Sequence, residues 1–298
     1  MTETTHSEPA PPARRRRRDE DYFTPERSVH EPHKVGLPPL VPYVRTLWQR
    51  RDFAFELAST RLRAQHFNTA FGKLWMLLNP LLLAAVYFVL VDILRGGNRG
   101  PEFLAHLVAC IFALELVRGA MQQGVKSVVS GGKLILNTAF PRVLLPLSAV
   151  VTSFKRFLPT IPIYLILHVA CGLPFSLQML WAVPLVGLLL LMAGGFTMLV
   201  AAGQVYVRDI ANFLPYVLRM WVYVSPILYY AHEVPDRYQF LLDVNPMAAL
   251  LTAWSAAVTE GNSPAAGDLA LGAAWALVIF VAGWLFFVSR EREFAVRL

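Results

Sequence analysis

Residues 181–207 form an unbroken stretch of 27 residues without a charged side chain. A helix needs about 20 apolar residues to cross the hydrocarbon core of a bilayer, so this stretch is long enough to span it. Residues 269–288 form a second uncharged stretch. The chain is 56% hydrophobic and only 16% charged, with a mean hydropathy of +0.47, which is unlike a soluble domain. These features predict an all-α integral membrane protein.

Four further apolar segments are long enough to cross a bilayer, although each contains a proline or a charged residue. They cover residues 74–94, 103–124, 144–171 and 213–230. Together with the two uncharged stretches, they predict six transmembrane helices.

Residues 244–259 form a shorter apolar segment whose length limits its topology. Its 16 residues would reach only about 24 Å as a helix, which is too short to cross comfortably. Its start, NPMAALL, places a proline in the first helical turn. The segment is predicted to be a re-entrant helical hairpin between helices 5 and 6. Irregular backbone at that depth must be covered by protein or face a water-filled cavity, so we expect it to lie beside a pathway.

The distribution of charge orients the predicted spans. Residues 41–73 contain six basic and two acidic side chains, and the connection between spans 2 and 3 is basic without an acid. Residues 231–268 instead contain five acidic side chains and one arginine. Because basic loops stay in the cytoplasm, both termini are predicted to be cytoplasmic, and six spans place both termini on the same side.

Two segments precede the predicted spans. Residues 1–42 are predicted to be a disordered cytoplasmic tail, because they contain seven basic and seven acidic side chains and no apolar stretch follows the arginines at 14–18. Attraction of those arginines to anionic lipid headgroups is the alternative. Residues 43–73 are predicted to be an amphipathic cytoplasmic interface helix that leads into the six-span transmembrane domain, residues 74–298.

The sequence lacks the patterns of a catalytic or ATP-binding site. Its intramembrane carboxylates lie on separate segments, its histidines form no metal-binding array, and its two cysteines lie in apolar surroundings. The stretch GGKLIL, residues 131–136, has a leucine where a P-loop needs Ser or Thr. The chain is therefore predicted not to be an enzyme and to bind no metal or cofactor of its own. A transporter of this kind must use an ion gradient or a separate ATPase.

Four stretches, in this order, resemble the permease subunits of type 2 ATP-binding-cassette (ABC-2) exporters of lipid-linked polysaccharides. These exporters move O-antigens, teichoic acids or galactans. The stretches are FGKLWMLLNPLL (71–82), LILNTAFPRVLLPL (134–147), VRDIANFLPYVLRMWVYVSPILY (207–229) and NPMAALLTAW (245–254). The resemblance covers residues 43–298.

The resemblance implies a homodimer in the bacterial inner membrane. Two copies of a separate nucleotide-binding subunit would bind ATP and Mg²⁺ and drive export of a polysaccharide linked to a polyprenyl diphosphate, with cell-wall galactan as one cargo. No nucleic acid is expected as a partner. Two alternatives remain: an ABC-2 exporter of drugs or lipids, and a membrane-embedded glycan-processing enzyme.

The resemblance also assigns roles to residues. An aromatic lining of the translocation pathway would comprise Tyr216, Trp221, Tyr223, Tyr229 and Tyr230. Candidate contacts of the diphosphate are Lys155, Arg156 and Arg219; contacts of the ATPase subunit are Lys133, Asn137, Phe140 and Arg142; and the outer gate is Asn245, Pro246 and Met247. Two alternatives stay open, since Tyr229 and Tyr230 can be interfacial belt residues and Lys155 and Arg156 can snorkel to the cytoplasmic surface.

Overall fold

The computed structural model describes residues 39–65, 74–97, 99–132, 135 and 140–297. Apart from residues 39–42, the predicted tail lies outside these ranges. Leu40 already begins a helix, so the N-terminal helical region starts three residues earlier than predicted.

The described residues form helices and connecting turns, with no β-strand among them. The helices are α1 (Leu40–Gln49), α2 (Arg51–Gln65), α3 (Trp75–Leu94), α4 (Pro101–Gly124), α5 (Ser127–Ser130), α6 (Leu144–Phe157), α7 (Thr160–Ala170), α8 (Ala182–Tyr206), α9 (Ile210–Val224), α10 (Gln239–Val244), α11 (Ala248–Val258), α12 (Ala266–Arg290) and α13 (Phe294–Arg297). Short 3₁₀ turns cover Leu177–Trp181, Ala231–Glu233, Asp236–Tyr238 and Glu291–Glu293. The predicted all-α class is confirmed for these residues.

Four helical segments are long and apolar enough to cross a bilayer: Pro101–Gly124, Leu144–Ala170, Leu177–Tyr206 and Ala266–Glu293. They coincide with predicted spans 2, 3, 4 and 6. Predicted spans 1 and 5 correspond to the shorter apolar helices Leu78–Leu94 and Ile210–Val224. The six-span layout therefore stays a prediction.

Predicted span 5 ends earlier than the sequence suggested. The helix stops at Val224 instead of Tyr230, and Ser225 adopts an extended backbone with ψ of 150°. Pro226 explains this end, because a proline disfavours helical backbone in the residue before it. As a result, α9 is about 22 Å long, shorter than the hydrocarbon core.

The segment predicted to be re-entrant is bent sharply. The helical stretch from Asp236 to Val244 meets α11 at an angle of 99°, and the break falls at residues 245–247. This bend is compatible with a re-entrant hairpin or a broken span. The position of the hairpin in a membrane remains a prediction.

The core is built around α4, α8 and α12. The backbones of α8 and α12 cross so closely that a Cβ atom built on Gly283 would lie 2.2 Å from the carbonyl oxygen of Gly195. Small residues allow helices in membranes to approach and gain van der Waals contact. Gly195 and Gly283 therefore allow the backbones of α8 and α12 to pack directly against each other.

The predicted interface helix is divided into α1 and α2, which meet at Arg50. On α2, Ala54 and Ala58 are buried, and α2 packs against α6. Arg61 donates a hydrogen bond to the hydroxyl of Ser148 on α6 at 3.0 Å. Whether these helices lie on a membrane surface remains a prediction.

Candidate translocation pathway and gate

Helix α9 presents two different faces. Leu214, Leu218 and Val222 are buried at a spacing of four residues, while Tyr216 is 65% exposed and Tyr223 is 45% exposed. Other exposed apolar side chains share the outer face: Phe213, Val217, Met220 and Val224. This repeat is that of a helix packed along one stripe, so the opposite face is an aromatic and aliphatic surface free for another contact.

Trp221 lies on the packed side of α9 and not on the exposed face. Its ring is half-buried and meets Phe196 of α8 edge-on, with the ring centres 5.3 Å apart. Its indole N–H donates to the side-chain oxygen of Asn245 at 2.8 Å. In the isolated chain, Trp221 thus holds the bend before α11 against α9, and its predicted contact with cargo remains untested.

Asn245 organises the bend at the predicted outer gate. Its side chain is buried, and its amide nitrogen donates to the hydroxyl of Ser225 at 3.0 Å and the carbonyl of Val224 at 3.3 Å. Its side-chain oxygen also accepts from the backbone N–H of Met247 at 3.1 Å. Met247 is fully buried and Pro246 half-buried. The Asn245 side chain therefore satisfies backbone groups that the broken helices leave without helical partners.

Tyr223, although exposed, contacts a polar side chain of a neighbouring helix. Its hydroxyl lies 3.4 Å from the hydroxyl of Tyr87 on α3, and the charges of Arg118 and Arg219 both act on Tyr87. Arg118 also pairs with Glu115 one turn earlier on α4, at 3.6 Å. The sequence singled out Arg219 but missed Tyr87, because a tyrosine in an apolar stretch gives no signal of its partner.

The three candidate diphosphate contacts do not point to one place. Lys155 donates to the hydroxyl of Ser59 at 2.6 Å and to the carbonyl of Phe55 at 3.3 Å, so it fastens α6 to α2. Arg156 lines a cavity of about 140 Å³ together with Glu115 and other residues of α3, α4, α6 and α7. Arg219 is exposed on α9.

Tyr229 and Tyr230 follow α9 and differ in their surroundings. The hydroxyl of Tyr229 donates to the carbonyl of Val224 at 2.9 Å. Tyr230 packs into an aromatic cluster, with its ring centre 4.4 Å from that of His106 and 5.8 Å from that of Phe103.

An ion pair that the sequence did not reveal fastens this cluster. Arg99 donates two hydrogen bonds to the carboxylate of Glu233, at 2.8 and 2.9 Å, and its guanidinium lies 4.5 Å from the centre of the Phe103 ring. Burial alone would raise the pKa of Glu233. The hydrogen bonds from Arg99 and from the backbone N–H of Tyr230 outweigh that effect and lower the pKa. The two residues are 134 positions apart, so no local pattern could have paired them.

The predicted ATPase contacts are only partly described. Lys133 and Asn137 lie outside the described residues. Phe140 is half-buried against Phe53 of α2, with ring centres 5.3 Å apart. Arg142 bonds to Glu291, a buried carboxylate after α12 that the sequence analysis overlooked.

Comparison with known proteins decides the class of this chain. No protein-family profile matches it. It is 28% identical over 262 residues to the O-antigen export system permease protein RfbA of Myxococcus xanthus, covering 86% of this chain and 99% of that protein. It is 24% identical over 204 residues to RfbA of Klebsiella pneumoniae, covering 68% of this chain and 78% of that protein. The chain is a relative of O-antigen export permeases.

This similarity confirms the resemblance found in the sequence. It supports an ABC-2 type permease for polysaccharide export, a multi-pass membrane component of a transporter and not an enzyme. Within the described residues, no group of His, Cys, Asp and Glu side chains could hold a metal ion.

Proposed function

We propose that this chain is the membrane subunit of an ATP-driven exporter that moves a polyprenyl diphosphate-linked polysaccharide from the cytoplasm across the bacterial inner membrane. The observation that carries the proposal is the exposed aromatic face of α9 in a chain related to polysaccharide-export permeases. Two copies of the chain would place their α9 faces on either side of one pathway.

The chemistry of the α9 face suits a sugar polymer. An aromatic ring offers an apolar surface to the C–H face of a sugar, and it holds the sugar too weakly to fix its position. Tyr216 and Tyr223 lie seven residues apart, or about 10 Å along the helix, so the two rings would contact a glycan at separate points along its length. Trp221, Tyr229 and Tyr230 would contact the glycan only if the gate opened and freed them from their present partners.

A diphosphate would need positive charge beside this face. Arg219 is the candidate that the geometry favours, because it is exposed on α9 and its charge reaches Tyr87. A guanidinium can grip a phosphate through paired hydrogen bonds. Lys155 and Arg156 are weaker candidates, since Lys155 already bonds to α2 and Arg156 lies near Glu115.

The bend at Asn245 is proposed to act as the outer gate. A carboxamide that bonds to Trp221, Ser225 and Met247 couples the end of α9 to the start of α11. Movement of α9 would then move the hairpin. On the cytoplasmic side, the basic turn around Phe140 and Arg142 is proposed to contact the ATPase subunits, which bind ATP and Mg²⁺.

One observation favours an exporter of drugs or lipids as a second candidate. An apolar cavity of about 410 Å³ lies between α4, α7, α8 and α11, and Tyr164 and Trp254 are among its lining residues. Drug-sized ligands occupy pockets of roughly this size. The α9 face is an open stripe and not a closed pocket, which favours the polysaccharide. The permease names of the relatives weigh against a glycan-processing enzyme.

The test is co-expression with neighbouring P-loop proteins, purification of any complex, and measurement of ATP hydrolysis and glycan transport in vesicles. Galactan, other lipid-linked glycans and hydrophobic drugs are supplied in turn. We expect hydrolysis to respond to a lipid-linked glycan, and its response to each glycan identifies the cargo. A response to drugs alone would favour the second candidate, and the absence of an ATPase partner would refute the proposal.

A paired variant tests the aromatic face directly. Replacing Tyr216 and Tyr223 with alanine is expected to lower transport about tenfold, because two stacking surfaces worth about 0.5–1.5 kcal/mol each are removed. Replacing Leu277 and Val278 of α12, which are also exposed, with alanine is the control. Equal effects of the two pairs would contradict the proposed pathway.

A further inference from the structure

A buried carboxylate joins three distant segments at the end of α12. Glu291 is 8% exposed. Its side chain accepts hydrogen bonds from the hydroxyl of Tyr43 on α1 and from the backbone N–H of Arg142. The guanidinium of Arg142 in turn donates to the backbone carbonyl of Glu291. We call this set of residues, Tyr43, Arg142 and Glu291, the carboxylate junction.

In the carboxylate junction, the side chain of Glu291 accepts hydrogen bonds and its partners donate them. Burial, and next the charge of Glu291, raise the pKa of Tyr43, so its hydroxyl remains protonated and serves as the donor. Burial disfavours the charged form of Glu291, and the hydrogen bonds from Tyr43 and Arg142, together with the charges of Arg142 and Arg292, favour it. A carboxylate that accepts from two donors in a buried site fixes their positions, because either donor would lose its partner if the segments separated.

Ring contacts extend the carboxylate junction on both sides. Tyr43 meets Trp284 of α12 edge-on, with ring centres 6.0 Å apart. Phe140 packs against Phe53, so the turn before α6 also holds α2. From Trp284, α12 continues to Gly283 and its backbone contact with Gly195 on α8. A continuous chain of contacts therefore leads from the turn at residues 140–142 to the core of the bundle.

From these contacts we infer that Glu291 is a positioning residue for energy coupling: it makes the turn at residues 140–142 move as one body with α12. The inference rests on the proposed function, in which an ATPase subunit pushes on this turn. Movement of this turn would reach α8 by way of α12. It would also reach α6 directly along the backbone. The side chain of Glu291 supplies the acceptor for two of the bonds on the route through α12, whereas the route through α6 is covalent. The bond from the Arg142 guanidinium to the Glu291 carbonyl and the packing of Val143 with Phe287 and Phe294 support the same route.

The test compares glycan exported per ATP hydrolysed in reconstituted complexes that carry Glu291→Ala, Glu291→Gln or Tyr43→Phe. Glu293→Gln is the matched control, because Glu293 lies in the same 3₁₀ turn but bonds to Tyr206 and Arg290 instead. We expect Glu291→Ala to bind the ATPase subunit normally and to export at least fivefold less glycan per ATP. Glu291→Gln retains an acceptor for Arg142 and should recover part of that ratio, and Tyr43→Phe should give a smaller loss.

An unchanged ratio in Glu291→Ala, or an equal loss in Glu293→Gln, would overturn the inference. The inference would also fail if Glu291→Ala lost ATPase binding while Tyr43→Phe kept an unchanged ratio of glycan exported per ATP. Glu291 would then only shape a docking surface. If Glu291→Ala does not fold, Glu291→Gln and Tyr43→Phe decide the question.

A second measurement separates this inference from the proposed function. Hydrogen exchange of the Arg142 amide in the permease alone should accelerate at least tenfold in Glu291→Ala and stay unchanged in Glu293→Gln. If the wild-type chain has no ATPase partner but this acceleration is seen, the proposed function fails while the carboxylate junction stands. Unchanged exchange would contradict the carboxylate junction itself.

Discussion

Helices α4 and α9 are both apolar, but they differ in how much of each helix is buried. Seventeen of the 24 residues of α4 are buried, whereas only three of the 15 residues of α9 are. Composition alone would assign both to a membrane. The difference shows that α4 is an interior helix of the bundle, while one face of α9 is left uncovered.

A substitution at the contact between α8 and α12 is expected to have the largest effect on stability. A Cβ atom at position 283 would lie 2.2 Å from the carbonyl oxygen of Gly195, and backbone cannot move aside as a flexible side chain can. Gly283→Ala is therefore expected to destabilise the protein by about 3 kcal/mol or more. Thermal unfolding in detergent measures the effect. Gly267→Ala on the same helix has no atom within 4 Å of the new methyl group and should be neutral, so equal melting temperatures would contradict this close crossing.

A comparison within α9 separates its two faces. Leu218→Ala leaves a cavity at a fully buried position and is expected to lower the free energy of unfolding by about 2–5 kcal/mol. Met220→Ala removes a side chain that is 61% exposed and should change stability by less than about 0.5 kcal/mol. Denaturation of the purified protein measures both variants. Similar costs would mean that both faces of α9 are packed, which would remove the basis for a pathway along it.

These contrasts mark what the sequence could and could not predict. The apolar stretches predicted α4, α8 and α12, because long apolar segments have few other folds. Pro226 was visible and disfavours helical backbone at Ser225, but the apolar pattern extended predicted span 5 through it to Tyr230. The pairing of Tyr43 and Arg142 with Glu291 was invisible, since all three lie in separate segments with no shared pattern. The aromatic stretch was found, but which rings face outward depended on the packing of Leu214, Leu218 and Val222.

The pair of Arg99 and Glu233 ties the connection after α9 to the start of α4. Glu233→Gln keeps the shape but removes the charge, and is expected to cost about 1.5–3 kcal/mol near neutral pH. The pKa of Glu233 lies below its ordinary 4.5 in the folded protein, so the carboxylate stabilises the fold above that pH. This stabilisation is lost as the pH falls below 4.5 towards the folded pKa.

Melting temperatures of wild type and Glu233→Gln should therefore differ at pH 7 and converge below pH 4.5. Glu102→Gln, which alters an exposed carboxylate at the start of α4, is the control and should follow wild type throughout. A difference that persists at low pH would show that the pair acts through shape and not through charge.

The smallest effect is expected where α9 meets the bend before α11. Trp221→Phe keeps the ring against Phe196 but removes the hydrogen bond to Asn245, which then keeps only Met247 as a donor to its side-chain oxygen. Trp221→Phe should lower the free energy of unfolding, measured by denaturation, by about 1 kcal/mol. Tyr229→Phe is the control and should change it negligibly, because the hydrogen bond that it removes is exposed. If Asn245 also transmits movement from α9 to the gate, Trp221→Phe should lower transport more than stability loss explains. Transport that falls only in step with stability would limit Trp221 to packing.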